Sequence, residues 1–209
     1  MLRFEFTAPV MPVLVIEEPA DAVPVARALV AGGLTAVEIT LRTHRALEAI
    51  RAVRDEVPEA VVGAGTVLRA GDAERAVAAG ARFLVSPGCS AGLLAAFRAS
   101  GVPCLPGVST ASEVQVLHEQ EVRDFKFFPA EAAGGTRYLR SLAGPFPAAR
   151  FCPTGGITAA AAPDYLALPN VACVGGSWLL PPDVLAARDW GRVTALAAAA
   201  AVLAGPAAR

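Results

Sequence analysis

Short runs of apolar and β-branched residues recur along the chain at nearly constant spacing, and each is followed by a stretch whose apolar positions fall at helical intervals. The runs begin near Met11, Ala36, Val61, Phe83, Pro103, Asp124, Arg150 and Val171, 20 to 26 residues apart. That interval holds one strand, one helix and two short turns. Helices are predicted over Asp21 to Gly32, Thr43 to Val57, Gly71 to Gly80, Ala91 to Ser100 and Ala111 to Glu121. Asp21 reads as an N-cap with Pro24 in the first turn, and Gly32-Gly33, Gly80 and Gly101 read as left-handed stops. Strict alternation implies parallel strands with helices outside, and eight units is the number that closes a (β/α)8 (TIM) barrel of the α/β class. An open doubly wound sheet is the alternative. The expected organisation is a single barrel domain over 1–209, with a short N-terminal segment, 1–8, and a C-terminal helix over about 189–204. Since 209 residues is fewer than the roughly 250 typical of such barrels, the loops must be short.

Alternation within the strands then selects side chains. In the second run Val37, Ile39 and Leu41 form an apolar face suited to the helix layer, which puts Glu38 and Thr40 inside and Arg42 on the same side at the mouth. In the sixth, Phe125 and Phe127 face the helices, leaving Lys126 and Phe128 inward. A carboxylate inside a barrel costs several kcal/mol unless it is paired or used. One structural reading pairs Glu38 with Arg42. The chemical reading places Glu38 and Lys126 in one water-poor cavity, an amine nucleophile beside a carboxylate that moves protons.

Composition gives Lys126 further weight, because it is the only lysine among the 18 lysines and arginines. Arginine replaces lysine on solvated surfaces but not as a neutral amine, since the guanidinium stays protonated. A chance survivor with a snorkelling head is the bland alternative. With 55% hydrophobic residues and a mean hydropathy of +0.50 the chain can bury a large core. A net charge of -1 and a pI near 6.1 give no general attraction for nucleic acid or an anionic membrane, so neither is an expected partner.

Cys89, Cys104, Cys152 and Cys173 lack Cys-x-x-Cys spacing and read as buried thiols, while His44 and His118 fall in helical stretches and read as surface residues. No metal site is therefore expected. The acidic, proline-interrupted start lacks the pattern of a secretory leader, and the apolar stretch Val193 to Gly205 is too short to span a membrane. The cytoplasm is the expected compartment.

The third run ends Val62-Gly63-Ala64-Gly65-Thr66-Val67, with a hydroxyl at the mouth; Ser86-Pro87-Gly88 and Pro106-Gly107-Val108-Ser109 read as turns on the same rim. Paired glycines follow the seventh and eighth runs, in Pro153-Thr154-Gly155-Gly156-Ile157 and Val174-Gly175-Gly176-Ser177-Trp178. Such barrels commonly bind phosphate after these two strands, on bare backbone N–H groups and a short helix N-terminus.

These strings, with Val37 to Thr43, Phe83 to Gly88, Phe125 to Glu131 and Arg150 to Ile157, resemble the bacterial 2-keto-3-deoxy-6-phosphogluconate aldolases from about Pro9 to Trp178. The resemblance implies a class I aldolase that takes a phosphorylated 2-keto-3-deoxy sugar acid to pyruvate and glyceraldehyde 3-phosphate. It makes Lys126 the Schiff-base residue and Glu38 the proton carrier. Arg42 and Thr66 would bind the pyruvate carboxylate, Pro87 and Phe128 would line the pocket, and Thr154 would influence stereochemistry. Gly155, Gly156, Gly175, Gly176 and Ser177 would hold the phosphate. It also implies a homotrimer that needs no metal or other cofactor. Rival readings are 4-hydroxy-2-oxoglutarate or the galactonate epimer as substrate, a non-covalent phosphate-binding isomerase, and a non-catalytic ligand-binding barrel. The likeness departs at the N-terminus, where the family usually carries a longer helix and this chain has about eight residues, including Phe4 and Phe6, before Pro9.

Overall fold

Every strand of the computed structural model, which describes residues 3–203, is parallel to its neighbours, as alternating strand and helix require. The strands are β1 (Val10–Leu14), β2 (Ala36–Thr40), β3 (Val61–Gly65), β4 (Leu84–Val85), β5 (Cys104–Leu105), β6 (Gly107–Val108), β7 (Asp124–Phe127), β8 (Arg150–Pro153) and β9 (Val174–Gly176). Hydrogen bonding orders them β5-β4-β3-β2-β1-β9 in one sheet and β6-β7-β8 in the other. Two links curl these ladders into a barrel: β5 runs through Pro106 into β6, and a bridge between Thr154 and Gly175 ties β8 to β9.

The fifth predicted strand is thus two short pieces, because Pro106 has no N–H for the ladder. Gly107 and Val108 are not a rim turn but pair with Lys126 and Phe127. Gly107 packs against the backbone of Pro87, where a Cβ would not fit. The second glycine pair is likewise in a strand, since Gly175 and Gly176 pair with Met11 and Pro12.

Helices α1 (Pro19–Ala31), α2 (Ala46–Glu56), α3 (Ala70–Ala78), α4 (Ala91–Ala99) and α5 (Ala111–Glu119) fill the expected stretches. They are followed by α6 (Gly135–Leu142), α7 (Ala162–Leu166), α8 (Pro182–Ala187) and α9 (Trp190–Ala201). The α1 reading needs correction: Glu18 is the N-cap, Pro19 begins the helix and Pro24 lies inside it. Asp21 is instead in the first turn, where a carboxylate suits the helix dipole, and it pairs with Arg188 of the α8 end at 2.9 Å. Gly33, Gly80 and Gly101 have the left-handed φ expected of stops, whereas Gly32 does not; it lies against Ala197 of α9, close enough to exclude a side chain. The last predicted residue of the C-terminal helix, 204, lies outside the described residues, as do 1 and 2 of the N-terminal segment.

Apolar positions split as strand alternation demands. Val37, Ile39, Phe125, Phe127 and Phe151 join the layer beneath the helices. A separate cluster of Phe4, Met11, Phe83, Val85, Leu105, Cys152 and Cys173 fills the barrel interior. Phe4 plugs this interior at the end where β7 and β8 begin. Its ring meets Phe83 edge-on at 5.4 Å, its N–H donates to Asp124 Oδ2 at 3.1 Å, and its carbonyl accepts from Arg150 Nη2 at 3.1 Å. Arg150 also pairs with Asp124 and lies over the ring of Phe6. Phe4→Ala should therefore cost about 3 kcal/mol through lost burial. Melting should begin roughly 6–12 °C lower, with kcat below the transition unchanged. An unaltered melting curve would remove Phe4 from the account of stability.

Among the described residues no helix is long and apolar enough to cross a membrane.

Candidate active site

The β2 pleat sends Glu38 into the barrel, and the β7 pleat does the same with Lys126. The two arrive from positions 88 residues apart, with Lys126 Nζ donating to Glu38 Oε1 at 3.1 Å. Their side chains are 0% and 4% exposed respectively, so the pair is cut off from water and each group depends on the other. Among the described residues Glu38 Oε2 has no hydrogen-bond partner. A buried carboxylate oxygen left open beside an amine is a ready proton acceptor for chemistry at that amine. Arg42 forms no ion pair among the described residues, so the structural alternative of a Glu38–Arg42 bridge is not what the fold adopts.

Small residues make this placement possible. Gly65, at the end of β3, lies under the carboxylate, and a Cβ there would collide with Oε1. Thr40, also inward, is satisfied by donating to the Leu14 carbonyl at 2.8 Å. The ring of Phe128 lies 5.6 Å from Lys126 Nζ and forms an apolar wall beside the cation.

A cavity of about 440 Å³ opens beside the pair, whose neighbours Val13 and Phe128 form part of its wall; Lys126 and Glu38 themselves do not line it. Of the residues singled out from sequence, Arg42, Phe128, Thr154, Gly155, Gly156, Gly175 and Ser177 line it. Gly155 and Gly156 have φ of 106° and 81°, a left-handed turn open to glycine. Gly175 lies against the Thr154 side chain and leaves it room. Gly176, one position on, points the other way, toward the Trp178 ring, and does not line the cavity.

Thr66 and Pro87 are half-buried at the strand ends and are also absent from the lining. Thr66 holds a φ of 57°, a left-handed backbone conformation uncommon for a β-branched residue. Val13 and Glu131 line the cavity without having been singled out. Alternation in β1 would have found Val13. Glu131 lies inside a motif read from sequence but carried no role.

Other reactive groups are accounted for. All four cysteines are free; Cys104, Cys152 and Cys173 are buried and Cys89 is half-buried. Burial pushes the Cys89 and Cys104 thiols up to about 11. Cys173 is pushed well above its usual range by burial, with its hydrogen bond to Cys152 and the Glu38 charge acting the same way. These three thiols remain protonated near neutrality and do not compete with the amine as nucleophiles. His44 is exposed, but His118 is half-buried beside the Phe146 ring, 6.0 Å away, not a plain surface residue. Among the described residues no three or more His, Cys, Asp or Glu side chains gather as a metal site.

Residues 4–196 match the family model described as Aldolase: KDPG and KHG aldolase. The KHG/KDPG aldolase of Escherichia coli strain K12 is 52% identical over 191 residues, covering 91% of this chain and 90% of the relative. The KDPG aldolase of Legionella pneumophila, solved with pyruvate captured at low pH as a covalent carbinolamine intermediate, superposes with a TM-score of 0.91. It is 46% identical, with 93% of this chain and 95% of that one covered. The 2-keto-3-deoxy-6-phosphogluconate aldolase of Zymomonas mobilis ZM4, solved with 3-phosphoglycerate, has a TM-score of 0.92. Its identity is 51%, over 97% and 95% of the two chains.

Proposed function

The chain belongs to the KDPG and KHG aldolase family, and from that premise we propose that Lys126 forms the Schiff base through which it cleaves 2-dehydro-3-deoxy-6-phosphogluconate to pyruvate and glyceraldehyde 3-phosphate. The observation that carries this assignment is the enclosed Lys126–Glu38 pair with its open Oε2. Neutral Lys126 Nζ attacks the C2 ketone, and Glu38 helps the resulting carbinolamine lose water to give a protonated imine. The imine is an electron sink. Glu38 accepts the proton of the C4 hydroxyl as the C3–C4 bond breaks, its electrons forming the enamine of pyruvate while glyceraldehyde 3-phosphate leaves. Protonation at C3 and hydrolysis return the amine and release pyruvate.

Arg42, exposed at the mouth and without an ion pair among the described residues, is suited to the pyruvate carboxylate, for which its planar fork offers two parallel donors. Thr66 is assigned to the same carboxylate and Pro87 to the pocket wall, both from the rim. Thr154, on the cavity wall, is assigned to the hydroxyl-bearing C4 of the substrate, whose stereochemistry it influences. The Gly155–Gly156 turn and Ser177 hold the phosphate, with Gly175 keeping Thr154 in place; Gly176 acts through the strand that supports them. The 3-phosphoglycerate held by the Zymomonas relative supports an anion site of this kind. The dual name of the Escherichia coli relative favours 4-hydroxy-2-oxoglutarate as a second substrate. No metal or other cofactor enters this scheme. The same reading makes the protein a cytoplasmic homotrimer in which each chain is one barrel domain, and light scattering should give about three times the 21.3 kDa chain mass.

Incubation with pyruvate followed by borohydride should add one reduced pyruvate adduct per chain, mapped to the peptide containing Lys126. With one lysine in the chain, the only other primary amine is the N-terminus. An unmodified Lys126 peptide would exclude Schiff-base chemistry and leave the non-covalent isomerase reading.

A further inference from the structure

Glu131 places a carboxylate on the wall of the same cavity that is assigned to the phosphate, an arrangement that repels a dianion unless the charge is held aside. Its backbone continues the β7–β8 pairing: Ala130 N–H donates to the Thr154 carbonyl at 2.9 Å, and Glu131 N–H donates to that of Gly155 at 3.1 Å. The Cβ and Cγ of Glu131 fill the space beside Gly156 where a side chain would otherwise be, so its stem supports the left-handed turn. The carboxylate itself is tethered. Tyr165, buried on α7 at 1% exposure, donates its hydroxyl to Glu131 Oε1. Burial first, then the hydrogen bond and charge of Glu131, push this phenol well above its ordinary range, so it remains a donor through the neutral region.

We infer that the Tyr165 hydroxyl tethers the Glu131 carboxylate away from the substrate phosphate, making Tyr165 a positioning residue for phosphorylated substrates, while the Glu131 stem supports the Gly155–Gly156 turn with or without that hydroxyl. The inference rests on the phosphate-site assignment above. Without the hydroxyl, the carboxylate is free to rotate over the glycine turn, where it opposes phosphate binding. Glu131 is solvent-exposed, so water screens the repulsion and limits its size.

The test compares kcat and KM for 2-dehydro-3-deoxy-6-phosphogluconate and its dephosphorylated analogue, 2-dehydro-3-deoxygluconate. Tyr165→Phe should raise KM for the phosphorylated substrate by about three- to tenfold, leaving kcat and the KM of the analogue unchanged. Adding Glu131→Gln, which removes the charge, should restore the wild-type KM. Glu131→Asp keeps the charge but shortens the reach to Tyr165, and as a change at an exposed position it should give the same selective rise even if Tyr165→Phe folds poorly. Equal KM rises for both substrates, or no rescue by glutamine, would overturn the tether. Wild-type protein that fails to prefer the phosphorylated substrate would instead overturn the phosphate site itself.

Discussion

Lys126→Arg is expected to lower kcat by about 10⁴-fold or more, the scale on which enzymes lose activity when their nucleophile is removed. The substitution is chosen because arginine carries every other basic side chain of the Lys/Arg class in this protein. A guanidinium keeps a positive charge near Glu38, so the buried carboxylate retains a partner and the fold is spared an uncompensated charge. What it lacks is a nitrogen that can become neutral and attack a ketone. Loss of borohydride trapping should therefore accompany loss of turnover while the melting curve changes little. Retention of more than about 1% of wild-type kcat would mean that Lys126 acts only as a charge.

Glu38→Gln should reduce kcat by about 10²- to 10⁴-fold, the range for a positioned proton carrier. Glutamine preserves the side-chain volume over Gly65 and still offers an oxygen to Lys126, but it cannot accept the C4 hydroxyl proton or shuttle protons at C3. Exchange of the pyruvate methyl protons with deuterated water, which requires enamine formation, should fall with kcat. Slow trapping of pyruvate on Lys126 should persist, since that amine is still present. Some loss of stability, up to about 3 kcal/mol, is also expected because the lysine loses its counter-charge, so rates must be read well below the melting transition. Methyl exchange at the wild-type rate would assign the proton transfers elsewhere.

Much of this site was legible because strand alternation is a local property. A pleated backbone places Val37, Glu38, Ile39 and Thr40 on alternate faces whatever the rest of the chain does, and the same rule turns Lys126 away from Phe125 and Phe127. Recurring strand and helix lengths likewise located eight units, and left-handed glycines marked three of the helix ends. Residue type supplied the chemistry, since only one side chain in the sequence could serve as an internal neutral amine.

Other features depended on contacts between distant segments. Gly176 shares a dipeptide with Gly175, yet closure of β9 on β1 directs only Gly175 toward Thr154. Pro106 splits a strand because its neighbours are a ladder that needs an N–H there. Phe4 plugs the barrel because Asp124 and Arg150 happen to meet it across more than half the chain. Tyr165 and Glu131 lie 34 residues apart, in a helix and a connecting segment whose sequences give no sign of each other. Sequence by itself determined the parallel strand–helix repeat, the inward positions and the identity of the amine. Only the tertiary structure decided which inward groups meet, because a 3.1 Å approach between Lys126 and Glu38 requires the barrel to close in one register.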